Sequence, residues 1–107
     1  MAFFVDKIYS IDEIRNQLKP IFDAYPVYTA VLFGSYAKGK ATEVSDIDIV
    51  IDSRGELLNM AFYGVLEEAV HGLQKNVDLF EISELRKDVP IFNEILKEGI
   101  LLYDKQG

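Results

Sequence analysis

The chain has 107 residues, enough for one domain with a real core and little room for a second. Half of the residues are apolar, which excludes wholesale disorder; cysteine is absent, which excludes disulfides and thiolate metal sites, and the single histidine, His71, excludes a zinc centre built from several imidazoles. A net charge of −7 disfavours non-specific binding to nucleic acid, which depends on Lys and Arg neutralising phosphate.

The longest apolar runs are far shorter than a membrane span, and Met1 to Asp6 lacks the basic start of a signal peptide. The expectation is a single domain over residues 1–107 with a cytoplasmic location. In chain order, Ser10-Ile11-Asp12-Glu13 reads as a capping box that opens a helix, with Ile14, Leu18, Ile21 and Phe22 at helical spacing. Pro20 predicts a kink or a restart, and Tyr25-Pro26 an end. Val27 to Phe33 is a strand rich in β-branched and aromatic residues, broken by Gly34. Ser35 to Lys38 suits a short helical turn stopped at Gly39, and Lys40 to Ser45 a polar loop.

Asp46 to Asp52 alternates with a period of two, with Asp46, Asp48 and Val50 on one face and Ile47, Ile49 and Ile51 on the other. A turn at Ser53-Arg54-Gly55 leads to the longest helix, Glu56 to about Gln74. Its apolar stripe is Leu58, Ala61, Phe62, Val65, Leu66, Ala69 and Leu73, and its outer face carries Met60, Tyr63, Glu67, His71 and Gln74. Asn76 to Ile82 is a third strand. A helical region from Ser83 is interrupted near Pro90, resumes through Ile91, Ile95 and Leu96, and is capped at Gly99. Ile100 to Tyr103 is a short last strand, and Asp104 to Gly107 a frayed tail. Strands interleaved with helices in this order predict an α+β domain.

Three aspartates carry the chemistry. Two residues apart on a strand, Asp46 and Asp48 share a face with α-carbons about 6–7 Å apart. Like charges this close repel unless a counter-charge is present, and a hard divalent cation such as Mg²⁺ supplies it through oxygen ligands. Asp78 stands at the mouth of the next strand, where it completes the cluster and is placed to orient or deprotonate an attacking hydroxyl. Alone, an Asp-x-Asp pair is more often a solvated strand end, the reading that suits Asp23 and Asp52. Gly34-Ser35 directly follows a strand, where glycine permits close backbone approach and the next N–H groups can donate to phosphate. Lys38 and Lys40 add positive charge nearby. Alone, this pair too is an ordinary strand break.

Their combination is more specific. Gly34-Ser35, ten residues, and then Asp46-Ile47-Asp48 at the next strand resembles the signature of the DNA polymerase β superfamily of nucleotidyltransferases, in its smallest branch, the minimal nucleotidyltransferase domains. The resemblance runs through residues 31–39 and 45–51, reaches Val77-Asp78-Leu79, and extends to the segment from Ile91 to Tyr103. It implies a mixed sheet of about four strands with helices mainly on one face. It also implies triphosphate binding by Gly34 and Ser35, metal binding by Asp46 and Asp48, and a site completed by Asp78, with two Mg²⁺ ions and ATP as substrate. Lys38 stands where many relatives have arginine, which keeps the charge and loses bidentate geometry.

Minimal domains of this kind resemble the antitoxin half of modules whose toxin is a helical HEPN-family RNase. The implied activity is transfer of AMP to a tyrosine hydroxyl of the toxin, and the implied assembly is a homo- or hetero-oligomer. An acidic surface suits a basic partner, with Met60 and Tyr63 reading equally as partner contacts, as scattered surface apolars, or as residues covered by the final helix. The competing readings are neutralisation of a partner by occlusion, adenylylation of a small molecule such as an aminoglycoside, and a structural domain with incidental motifs. Tyr36, Tyr63 and Tyr103 read equally as modification targets or core edges; His71 and Arg54 read most simply as solvated.

Overall fold

The computed structural model describes residues 4–105. Its sheet has the order β3-β2-β1-β4, built from β1 (Thr29–Phe33), β2 (Ile47–Asp52), β3 (Val77–Glu81) and β4 (Ile100–Asp104). β1 pairs antiparallel with β2 and β4, whereas β2 and β3 run parallel, joined by a helical crossover. The helices are α1 (Ile11–Ala24), the one-turn α2 (Gly34–Ala37), α3 (Met60–Leu73) and α4 (Pro90–Glu98), with a 3₁₀ turn at Ile82–Glu84.

Strand alternation divides the apolar residues between two faces. Ile47, Ile49 and Ile51 join Ala30, Leu32 and Leu79 under α1 and α3, where Ile14, Leu18, Phe22, Val65, Ala69 and Leu73 complete the main core. The opposite face carries Phe33 and Val50, covered by Ile95 of α4 and flanked by Phe80 and Ile91. The sheet is therefore mixed, with its larger helices on one face, as the family resemblance implied. Each buried leucine contributes on the order of 2–5 kcal/mol, judged by truncation to alanine.

The capping box of α1 is formed: Glu13 N–H donates to Ser10 Oγ (3.1 Å) and Ser10 N–H to Glu13 Oε1 (2.9 Å). Pro20 does not end the helix. Its ring lies on the exposed side while Leu18 and Phe22 hold the flanking turns against the core.

α3 begins at Met60, four residues later than the periodicity suggested. Ser53 Oγ accepts from Leu57 N–H (3.0 Å) and Asn59 Oδ1 from Ala61 N–H (2.9 Å), so residues 53–58 form a hydrogen-bonded loop and Asn59 becomes the N-cap. As a result Leu57 is buried, whereas Leu58 and Ala61, placed on the apolar stripe by sequence, are exposed. Met60, Tyr63, Glu67, His71 and Gln74 face outward as expected.

The 3₁₀ turn and α4, with Pro90 in its first turn, replace the interrupted helix anticipated from Ser83 onward. Gly99 is the C-cap in extended rather than left-handed geometry (φ −65°). The tail is less frayed than predicted: Asp104 belongs to β4, Lys105 N–H donates to Tyr28 C=O (2.9 Å), and Lys105 Nζ donates to Tyr25 C=O (3.1 Å). The rest of the predicted tail, residues 106–107, and the start of the N-terminal segment, residues 1–3, lie outside the described residues.

Candidate active site

The register of the parallel pair sets Asp48 directly beside Asp78. Both project from the α4 face of the sheet near the start of their strands, and their carboxyls lie within hydrogen-bond reach of each other. Burial, followed by that hydrogen bond and by the negative charges of Asp78, Asp46 and Glu94, pushes the Asp48 carboxyl up to about 7. Asp46 is exposed one residue ahead of β2, close enough for its charge to act on Asp48.

The glycine-serine bend closes on this pair. Phe33, the last residue of β1, is paired with Asp48, so the chain leaves β1 beside that carboxylate. Gly34 turns at φ +73°, and a Cβ there would stand 2.1 Å from Asp48 Oδ2. Only glycine admits both the left-handed backbone and the contact. The first turn of α2 follows, with no side chain capping its N–H groups, and Ser35 sits half-buried in it.

Lys38 ends that turn with its ammonium bound to Glu94 of α4 and 4.0 Å from Glu98. The Glu94 carboxylate raises the Lys38 pKa. The residue expected to face phosphate is therefore engaged by carboxylates. Arg54 stacks on the Tyr28 ring at 4.0 Å, away from any role in the cluster. Of the three tyrosines weighed as targets, Tyr36 and Tyr103 are buried and Tyr63 is exposed.

Glu94 was not singled out by sequence, because it lies 46 positions after Asp48 on an amphipathic helix of ordinary pattern. Its spacing from Glu98, one helical turn on, was the available signal. Lys75 was missed as well: a lysine beside a strand reads as solvated, yet it is 3% exposed.

The donor set is all oxygen, and the burial and charge repulsion that lift Asp48 would be offset by a hard divalent cation. Among the described residues, no three His, Cys, Asp or Glu side chains are gathered to hold an ion by themselves. Mg²⁺ is commonly held by one or two carboxylates together with substrate phosphates and water. Asp48 and Asp78 are the carboxylates in place for this, with Asp46 at the edge.

Residues 16–107 match the family model described as polymerase beta, nucleotidyltransferase. The chain belongs to this nucleotidyltransferase family. It is 30% identical over 95 residues to a protein of Methanocaldococcus jannaschii named provisionally as a protein adenylyltransferase, covering 86% of this chain and 91% of that one. A second such protein from the same organism is 49% identical over 39 residues, a match that spans 39% of that relative and 36% of this chain. Among solved structures, a chain of a toxin–antitoxin complex with AMP-PNP superposes with a TM-score of 0.73 at 23% identity, over 86% of this chain and 74% of that one. A chain of the complex between tri-AMPylated Shewanella oneidensis HEPN toxin and MNT antitoxin does so with a TM-score of 0.68 at 20% identity, over 90% and 74%. These two likenesses establish the fold. Among the described residues, no helix is long and apolar enough to cross a membrane.

Proposed function

We propose that this nucleotidyltransferase domain moves AMP from ATP to a tyrosine hydroxyl of a HEPN-type toxin and thereby acts as its antitoxin. The observation that carries the reading is the seating of Gly34 against Asp48, which brings the glycine-serine bend and the aspartates together as one site would need. The name of the Methanocaldococcus relative and the AMPylated toxin of the structural neighbour support the acceptor class. Exposed Leu58, Met60 and Tyr63 line one cleft with the acid Glu84, a surface suited to an apolar partner face bordered by basic residues.

In this reading Gly34 and Ser35 hold the triphosphate, and Asp46, Asp48 and Asp78 hold Mg²⁺, with two ions as the family resemblance implies. Bound Mg²⁺ supplies charge neutralisation at the phosphates. Asp78 orients the acceptor hydroxyl and takes its proton. The tyrosine oxygen forms a bond to the α-phosphorus as the bond from that phosphorus to the bridging oxygen breaks, and pyrophosphate leaves. The bend grips the departing end, and breaking the Lys38–Glu94 pair frees the lysine to follow it.

The test is intact-mass measurement of a cognate HEPN-type protein after incubation with this domain, ATP and Mg²⁺. A gain of one or more AMP units that is lost with Asp48→Asn is the expected result. The engagement of Lys38 by two glutamates favours a second reading, neutralisation by occlusion with little catalysis. Neutralisation without mass gain, surviving Asp46→Ala plus Asp48→Ala, would establish that alternative.

A further inference from the structure

Lys75 is the one buried lysine among the described residues, and it sits between the C-cap of α3 and the start of β3. Burying an ammonium costs several kcal/mol unless acceptors replace water. Its Nζ donates to Glu43 C=O (2.7 Å) and to Val5 C=O (3.3 Å). The first acceptor belongs to the loop that delivers Asp46, and the second to the N-terminal segment.

That loop has otherwise mostly local bonds. Ser45 N–H donates to Thr42 C=O (3.1 Å) and Thr42 N–H to Ser45 Oγ (2.8 Å), closing a turn that leaves Val44 exposed. The ladder resumes only at Ile47, whose N–H donates to Asn76 C=O (3.0 Å). Asp46 is thus the one aspartate of the three outside a strand, held between a self-contained turn and the first rung of β2. Lys75 and Asp46 line the same cavity of about 190 Å³.

We propose that Lys75 is a positioning residue for metal binding: its ammonium ties the Glu43 carbonyl to the α3–β3 junction and so fixes the approach of Asp46 to the Asp48–Asp78 pair. The inference rests on the reading of Asp46 as a metal-binding residue. Without the tie, Asp46 would still lie beside β2 but would sample several orientations, and the cation would have to order the loop as it bound. The cost would fall on metal affinity rather than on chemistry at saturating metal.

The test uses the whole chain. Hydrogen exchange of the Thr42–Asp46 amides is measured on the metal-free protein, and Mn²⁺ affinity by titration, for wild type, Lys75→Met and Leu18→Ala, a core variant that controls for lost stability. Lys75→Met should raise exchange in that loop and weaken Mn²⁺ binding, each about tenfold, with AMP transfer recovering as metal is raised. Leu18→Ala should leave Mn²⁺ affinity within about twofold of wild type.

Unchanged Mn²⁺ affinity in a folded Lys75→Met protein, or an equal loss in both variants, overturns the proposal and leaves the nucleotidyltransferase site intact. Failure of wild type to bind Mn²⁺ overturns the site reading and this one together. Should Lys75→Met not fold, Lys75→Gln removes the ammonium and shortens the side chain away from the Glu43 carbonyl; wild-type loop exchange and Mn²⁺ affinity in that variant overturn the proposal.

Discussion

The two ends of the parallel β2–β3 pair each hold a carboxylate out of full contact with water, with opposite outcomes. At the end that starts both strands, Asp48 faces Asp78 and its pKa rises to about 7, foremost from burial. At the far end Glu81, 3% exposed, accepts from Ser53 N–H (2.8 Å) and Ser83 N–H (2.9 Å) as well as from the Ser53 hydroxyl. Burial opposes ionisation there too, but the donors prevail and the Glu81 pKa is lowered. A carboxylate with its own donors is finished structure. A carboxylate left facing another is poised for an external cation, and that contrast separates the scaffold end from the site end of one strand pair.

Breaking the site end has the largest effect on activity and the opposite effect on stability. Asp48→Asn should cut AMP transfer by about a thousandfold, because it removes a carboxylate proposed to hold Mg²⁺ beside the phosphates. In the metal-free protein near pH 8 the same change should add roughly 1 kcal/mol of stability after allowance for solvent screening, since it relieves repulsion and desolvation. Steady-state rates and urea unfolding measure the two outcomes.

Breaking the scaffold end reverses the pattern. Glu81→Ala leaves the buried Ser53 N–H and hydroxyl, and the part-buried Ser83 N–H, without their acceptor and should cost about 3 kcal/mol in urea unfolding. Transfer by the folded fraction should fall by no more than about twofold.

Titration sharpens the contrast further. Asp48 binds its proton more tightly folded than unfolded, so its contribution to folding falls as pH rises from the ordinary aspartate value of 3.8 to about 7. Glu81 has a lowered folded pKa, so its contribution is present above the ordinary glutamate value of 4.5 and is lost as pH falls through the folded value. The stability gap between Asp48→Asn and wild type without metal should therefore widen between pH 4 and 7, and the gap for Glu81→Gln should narrow as pH falls below the ordinary glutamate value of 4.5.

The smallest effect concerns a buried hydroxyl that lacks what Glu81 has. Tyr36 Oη is buried with no well-formed hydrogen bond, lying near the Tyr9 backbone. Tyr36→Phe should leave activity unchanged and alter stability by less than about 1 kcal/mol, towards greater stability. Differential scanning calorimetry reads the shift.

The strands and α1 were legible because their signals are local: alternation in Ile47 to Ile51, and the Ser10–Glu13 capping box. The pairing of Asp48 with Asp78 was anticipated from their places at the mouths of neighbouring strands, and the parallel register provides it. The start of α3 was misplaced because Ser53 and Asn59 accept hydrogen bonds that compete with helix, a choice settled in part by the tertiary contact of Ser53 with Glu81. Glu94 and Lys75 were hidden for a different reason. Glu94 reaches the site region from a helix remote in sequence, and Lys75 bonds a loop 32 positions earlier; a charged residue on an amphipathic helix or beside a strand carries no local mark of what it will touch.

The most direct measurement is calorimetric titration of AMP-PNP into the domain, with and without Mg²⁺, for wild type and for the double variant Asp48→Asn plus Asp78→Asn. Binding that requires Mg²⁺ in wild type and vanishes in the double variant is the predicted result. Equal affinity in EDTA, or undiminished Mg²⁺-dependent binding in the double variant, would contradict the account.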